Sequence, residues 1–120
     1  MAEGRQAVGR AGEEVAIEYL CERGYRILER NFRCRVGEID LIARDGRTLA
    51  FIEVKTRRSR TFGDPAFAVT SEKQRRLIKA SQVYLGRKGD VQEFCRFDVV
   101  TIQLDQAGLR VELIKNAFQA

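Results

Sequence analysis

The sequence predicts an α/β fold in which a central mixed β-sheet is flanked by helices, with elements in the order α-β-β-β-α-β-β. Three observations predict it. Two segments, Arg5 to Arg23 and Thr70 to Leu85, repeat apolar residues at helical spacing. Between them, Gly37–Ala43 and Thr48–Thr56 alternate as strands do around an Asp45-Gly46 turn. Two further strand-like runs, Phe94–Leu104 and Leu109–Lys115, follow the second helix. Helices interleaved with strands in this way cover a sheet that is partly parallel.

In the first helix Val8, Ala11, Gly12, Val15, Ala16, Tyr19 and Leu20 form the apolar stripe, and Gly24 stands where a C-terminal cap belongs. Tyr25–Asn31 reads as a short strand, Thr56–Gly63 as a basic loop, and Pro65 as the opening of a helical turn. Thr70 or Ser71 is placed to cap the second helix, which Gly86 would end. Its apolar residues are Leu77, Ile78, Ser81, Val83, Tyr84 and Leu85; the other face carries Lys73, Arg75, Arg76 and Lys79. A turn at Gln106-Ala107-Gly108 separates the last two strands.

At 120 residues the chain is long enough for one domain, spanning 1–120. No apolar run approaches the length of a membrane span, and the N-terminus lacks the apolar region of a secretory signal, so a cytoplasmic location is expected. Cys21, Cys34 and Cys95 are odd in number and include no C-x-x-C pair, against a disulfide framework or structural zinc. Histidine is absent, which removes His-ligated metals, imidazole bases and Ser-His or Cys-His nucleophile pairs. The net charge is +5, and residues 23–60 hold eleven Lys/Arg against five Asp/Glu. Arg outnumbers Lys seventeen to five, which suits a polyanion and favours nucleic acid over a membrane. A solvated basic face would look the same.

The central hairpin carries the chemistry. Centring its turn on Asp45-Gly46 sets Ile42 opposite Leu49, Asp40 opposite Phe51, and Glu38 opposite Glu53. One face then holds Ile39, Leu41, Ala43, Ala50, Ile52 and Val54. The other holds Ile42, Leu49 and Phe51, then Glu38, Asp40, Glu53 and Lys55. Carboxylates facing one another across a partly covered ladder repel, and one lysine does not neutralise three acids. A hard divalent cation would, and all-oxygen donors select Mg²⁺ or Mn²⁺, with Asp40 and Glu53 as diagonal neighbours roughly 7–8 Å apart. The alternative reading is a solvated strand end whose charges serve solubility.

Several segments together resemble one family. Gly37-Glu38-Ile39-Asp40-Leu41-Ile42-Ala43 and Phe51-Ile52-Glu53-Val54-Lys55-Thr56-Arg57 resemble the YraN family of uncharacterised bacterial proteins. So do Gly9-Arg10-Ala11-Gly12-Glu13, Asn31-Phe32-Arg33, Phe62-Gly63-Asp64-Pro65, Lys73, Phe97-Asp98-Val99-Val100 and Asn116-Ala117-Phe118. That family is similar to the PD-(D/E)xK nucleases and, in layout, to archaeal Holliday-junction resolvases. The resemblance implies a restriction-endonuclease-like core and a magnesium-dependent endonuclease acting on branched or structured DNA in repair or recombination. It implies Asp40 and Glu53 as metal ligands, Lys55 as the group that positions the attacking water, and Glu13 as a further acid from the first helix. Glu14 is an open alternative to Glu13. Ile39 stands where the superfamily has proline, a residue that a central strand disfavours. Junction-cleaving relatives work as dimers, which leaves a homodimer open here.

Arg57, Arg58 and Arg60 follow the strand into the basic loop, and Lys73, Arg76 and Lys79 share a helix face; these six are the expected backbone-phosphate contacts. Phe32 and Phe62 are candidates for stacking on unpaired bases. The competing function is a non-catalytic nucleic-acid-binding module that keeps the nuclease-like fold.

Overall fold

A computed structural model describes residues 2–58, 69–89, 94–105 and 108–120, with side chains in 11–56, 69–89, 94–103 and 108–120. The elements are α1 (Ala2–Glu22), β1 (Arg26–Cys34), β2 (Gly37–Asp45), β3 (Thr48–Arg58), α2 (Ser71–Lys88), β4 (Phe94–Asp105) and β5 (Gly108–Phe118). This is the expected α-β-β-β-α-β-β order. The strands form one five-stranded mixed sheet in the order β1-β2-β3-β4-β5, parallel only between β3 and β4. A parallel pair needs a crossover, and α2 supplies it. The expected helical turn at Pro65 lies outside the described residues.

Each helix covers one face of the sheet. Ala16 and Leu20 of α1 pack on Leu41, Ala43, Ala50, Ile52, Val100 and Ile102, with Tyr25 closing the cluster. Leu77 and Ala80 of α2 pack on Ile39, Ile42, Leu49, Phe51, Phe97 and Val99. Both faces of β3 are therefore buried, as its near-continuous apolar run requires. Phe32 is partly buried and packs against this second core, edge-on to Tyr84 at 5.3 Å. Phe62 lies outside the described residues. Thr70 caps α2 by accepting a hydrogen bond from the Lys73 amide. The helix runs past Gly86 and ends at Gly89, whose N–H donates to the Leu85 carbonyl.

The hairpin register differs from the expected one. Asp45 pairs with Thr48, Ile42 with Phe51 and Leu41 with Ile52, so the two-residue turn is Gly46-Arg47 and not Asp45-Gly46. The reason is the backbone at Gly46 (φ +62°). A positive φ at the first central position, followed by an ordinary residue, makes the tight turn that fits twisted strands. Centring on Asp45-Gly46 would have forced Asp45 into the left-handed region. The shift moves Glu53 away from Glu38 and brings it level with Asp40.

Close approach at Gly12 seats α1 on the sheet. A methyl group there would collide with the Thr56 hydroxyl and meet Ile102 Cδ1 at 3.7 Å. Gly12→Ala is expected to lower stability by about 1–2 kcal/mol, overpacking outweighing the gain in helix propensity. Thermal melting checks it. Adding Thr56→Ala should restore most of the loss, and a stabilised single variant would contradict the close contact.

Candidate functional site

Alternation fails at one level of the sheet, and the site is built there. Leu41 faces α1 while Ile39, two residues earlier, faces α2, so β2 changes face at Asp40. The expected grouping of Ile39 with Leu41 is corrected accordingly. In β1, Asn31 lies between the pairs Arg30↔Leu41 and Phe32↔Ile39 with φ +54°. Asparagine tolerates this left-handed conformation better than other side-chain-bearing residues. Its amide donates to Glu13 Oε1 at 3.2 Å, tying the kink to α1. The kink leaves the Asp40 carboxylate between β2 and β3, where its Oδ2 accepts the Val54 N–H at 2.9 Å.

Glu53 projects from the α2 face of β3, two residues beyond Phe51. Its side chain is only 4% exposed, against 47% for its partner Lys73, whose Nζ lies 2.9 Å from Glu53 Oε2. That oxygen is buried, and the ammonium is its ion-pair partner. The Thr70 cap places Lys73 in the first turn of α2, above the end of β3. Asp40 and Glu53 meet closely enough to share a hydrogen bond. Burial, then the hydrogen bond and repulsion from Glu53, push Asp40 up to about 8, while the Val54 N–H and Lys73 pull the other way. Two acids competing for one proton are a pair for which a cation can substitute.

The structure thus brings Asp40 and Glu53 together as direct neighbours and not as the expected diagonal pair. Glu13 faces them from α1. Its carboxyl is raised by burial, lowered by the Asn31 hydrogen bond, and raised again by Asp40. Glu14 is exposed and paired with Arg30, so of the two acids it is Glu13 that turns inward. Glu38 is exposed and paired with Arg33 at 3.2 Å. Lys55 is half-buried, level with Thr101 of β4. The lysine in contact with Glu53 is Lys73, expected to serve as a phosphate contact. Arg76 and Lys79 are exposed on α2. The side chains of Arg57 and Arg58, and the whole of Arg60, lie outside the described residues.

A hard cation fits the pair on two counts. The donors are all oxygen, and one ammonium, that of Lys73, stands beside two acids. Among the described residues no group of three or more His, Cys, Asp and Glu side chains could hold a metal ion. Asp40 and Glu53 would supply two ligands, leaving the other positions to water and substrate oxygens, as Mg²⁺ commonly does.

A second polar network, not singled out by the sequence, lies on the α1 side of the sheet, from the level of Ile52 toward the hairpin turn. Asp98 is fully buried and accepts from Arg96 Nε at 2.7 Å, Tyr25 Oη at 3.0 Å and the Asn116 amide at 2.9 Å. Arg96 also pairs with Asp45 at 2.8 Å, and Lys115 joins at 3.2 Å. Every acceptor here is occupied by the protein itself, which marks a structural clamp.

No helix among the described residues is long and apolar enough to cross a membrane. The sequence pattern of the uncharacterised protein family UPF0102 matches residues 12–102, which include Glu13, Asp40, Glu53, Lys55 and Lys73. A UPF0102 protein of Symbiobacterium thermophilum is 55% identical over 114 residues, covering 94% of this chain and 97% of the relative. One from Syntrophus aciditrophicus is 54% identical over 111 residues, covering 92% and 87%. Another, from Moorella thermoacetica, is 48% identical over 118 residues, covering 95% and 97%. With a family pattern over three-quarters of its length and such relatives end to end, the chain belongs to the uncharacterised protein family UPF0102, also known as YraN.

Proposed function

We propose that this protein is a divalent-metal-dependent nuclease that hydrolyses phosphodiester bonds in nucleic acid, DNA before RNA, in branched or structured substrates. The observation that carries the reading is the Asp40–Glu53 pair, a half-buried and a buried acid side by side next to an ammonium group. Such a pair costs the fold stability once both acids ionise, because like charges away from water repel. Together with Mg²⁺ or Mn²⁺ as its cofactor and a cytoplasmic location, the arrangement suits a core like that of the restriction endonucleases.

Asp40 and Glu53 would hold the ion through one oxygen each. When bound, it supplies Lewis-acid stabilisation of the phosphate and lowers the pKa of water. The Lys73 ammonium, already against Glu53, would face the scissile phosphate and offset its negative charge. Lys55, two residues from Glu53 on the same strand face, would orient water. Glu13 would hold a proton-accepting oxygen on the α1 side, fixed by Asn31. Arg76 and Lys79 give phosphate contacts along α2.

Purified protein incubated with branched, single-stranded and duplex DNA and with RNA, with Mg²⁺ or Mn²⁺ and with chelator, tests the proposal. Cleavage is expected with metal only, and Asp40→Ala and Glu53→Ala should each lower it by at least about a hundredfold. One observation favours the binding-module alternative: the described residues assemble two close acids and not three. Salt-sensitive binding without cleavage of any substrate by either metal would establish that alternative and end the nuclease reading.

A further inference from the structure

The groove that leads away from the carboxylate pair is built from two adjoining clefts that share Arg76. The inner one, about 390 Å³, is lined by Arg33, Glu38, Lys73 and Arg76. The outer one, about 350 Å³, adds Val36, Arg75 and Lys79. Each is near the lower end of ligand-pocket size. Its floor is a close approach of backbones. A Cβ added at Gly37 would lie 3.1 Å from the Arg76 carbonyl oxygen, so glycine lets the β1–β2 turn press onto α2. The inner cleft ends at Lys73, whose ammonium touches Glu53.

We propose that this groove seats one strand of nucleic acid and feeds it to the carboxylate pair, an inference that rests on the nuclease reading above. Five cationic side chains line the two clefts against Glu38 and Glu72. The acids do not block an anion. Arg33–Glu38 and Arg76–Glu72 are exposed surface pairs, at 3.2 Å and 2.7 Å, worth little in water and easily exchanged for phosphate. Arg33, Lys73 and Arg76 would take one phosphate, and Arg75, Arg76 and Lys79 the next. Val36, an exposed apolar side chain at the turn, would lie against a sugar. A single strand fits better than a duplex because the clefts are concave between a turn and a helix, whereas a duplex would touch only the exposed helix face. Among the described residues both linings are dominated by cationic side chains, which read backbone charge.

Fluorescence anisotropy with a labelled twelve-nucleotide oligothymidylate in chelator measures this without any cleavage. The Arg33→Ala/Arg76→Ala double variant should bind roughly tenfold more weakly. Its log–log salt slope should flatten by about 1.4, the loss of two single-strand phosphate contacts. Arg110→Ala, on the opposite sheet edge, should stay within about twofold, and circular dichroism should show all variants folded. An unlabelled duplex of equal length should compete less well than the single strand. The groove is overturned if the double variant binds as the wild type does, if Arg110→Ala matches its loss, or if the duplex binds more tightly. Should metal-dependent cleavage persist in the double variant with binding unchanged, the nuclease reading survives and the groove does not. Should the wild type neither bind nor cut nucleic acid, both fall.

Discussion

Asp40→Asn is expected to raise the melting temperature of the metal-free protein at pH 8.5 while abolishing cleavage. In the folded protein the Asp40 carboxyl titrates near 8, and in the unfolded chain near 3.9. The native state therefore holds an extra proton between those values. Its stabilising effect is complete below about pH 4 and is lost as the pH rises through about 8. Asparagine supplies a permanent donor toward Glu53, and its carbonyl oxygen still accepts from Val54. The variant should gain about 1–3 kcal/mol at pH 8.5, or about 4–12 °C, clearly less at pH 5, and almost nothing below about pH 4, where the proton is present in both folded and unfolded chains. Mn²⁺ at a hundred times its dissociation constant should stabilise the wild type by about 2.7 kcal/mol and the variant hardly at all. Differential scanning fluorimetry at both pH values, with chelator and with Mn²⁺, reads all of this. A variant no more stable at pH 8.5 would refute the shared proton; a retained Mn²⁺ shift would remove Asp40 from the metal site.

Asp98→Ala should be the most destabilising single change at a polar position. It removes the acceptor that Arg96, Tyr25 and the Asn116 amide share, leaving two donors unpaired and the part-buried Arg96 with Asp45 as its remaining carboxylate. Truncating one side of a buried charge pair costs about 3–5 kcal/mol, which here lowers the melting temperature by about 10–20 °C. Tyr25→Phe removes one of these bonds and should cost about 0.5–1.5 kcal/mol. Urea unfolding measures both, and a loss below about 1 kcal/mol for Asp98→Ala would show that the network is no clamp. Cleavage per folded molecule at 20 °C should be little changed, because Asp98 faces α1 while Glu53 faces α2.

Much of the architecture was legible in the sequence because it rests on periodicity. The stripe around Ala16 and Leu20, the alternation in β3 and the turn glycine each report local structure through local pattern. The register was not, because Asp-Gly marks a turn without saying which of its residues takes the positive φ. That one choice decided whether Glu53 met Glu38 or Asp40. The face change at Asp40 was also hidden, since strict alternation has no symbol for a kink that needs Asn31 on the neighbouring strand. Lys73 was visible as a cation but not as the partner of Glu53, because the contact joins residues that only the β3-α2 crossover brings together. Asp98 and Arg96, two apart on one strand, gave no pattern that distinguishes a buried ion pair from an exposed one.

The bend at Asn31 has a bearing on how copies of this protein behave beside one another. β1 is an outer strand, and its nine residues are interrupted twice, by the irregular register between Ile27 and Glu29 and by the left-handed Asn31. An incoming chain that tried to zip onto this border would find only short straight stretches of free amide and carbonyl groups, set off by Arg26, Arg30 and Arg33. The distortion that spreads the strands around Asp40 should thus also discourage fibril-like stacking along this border at high concentration, and self-association there would have to use side chains in place of a continued sheet.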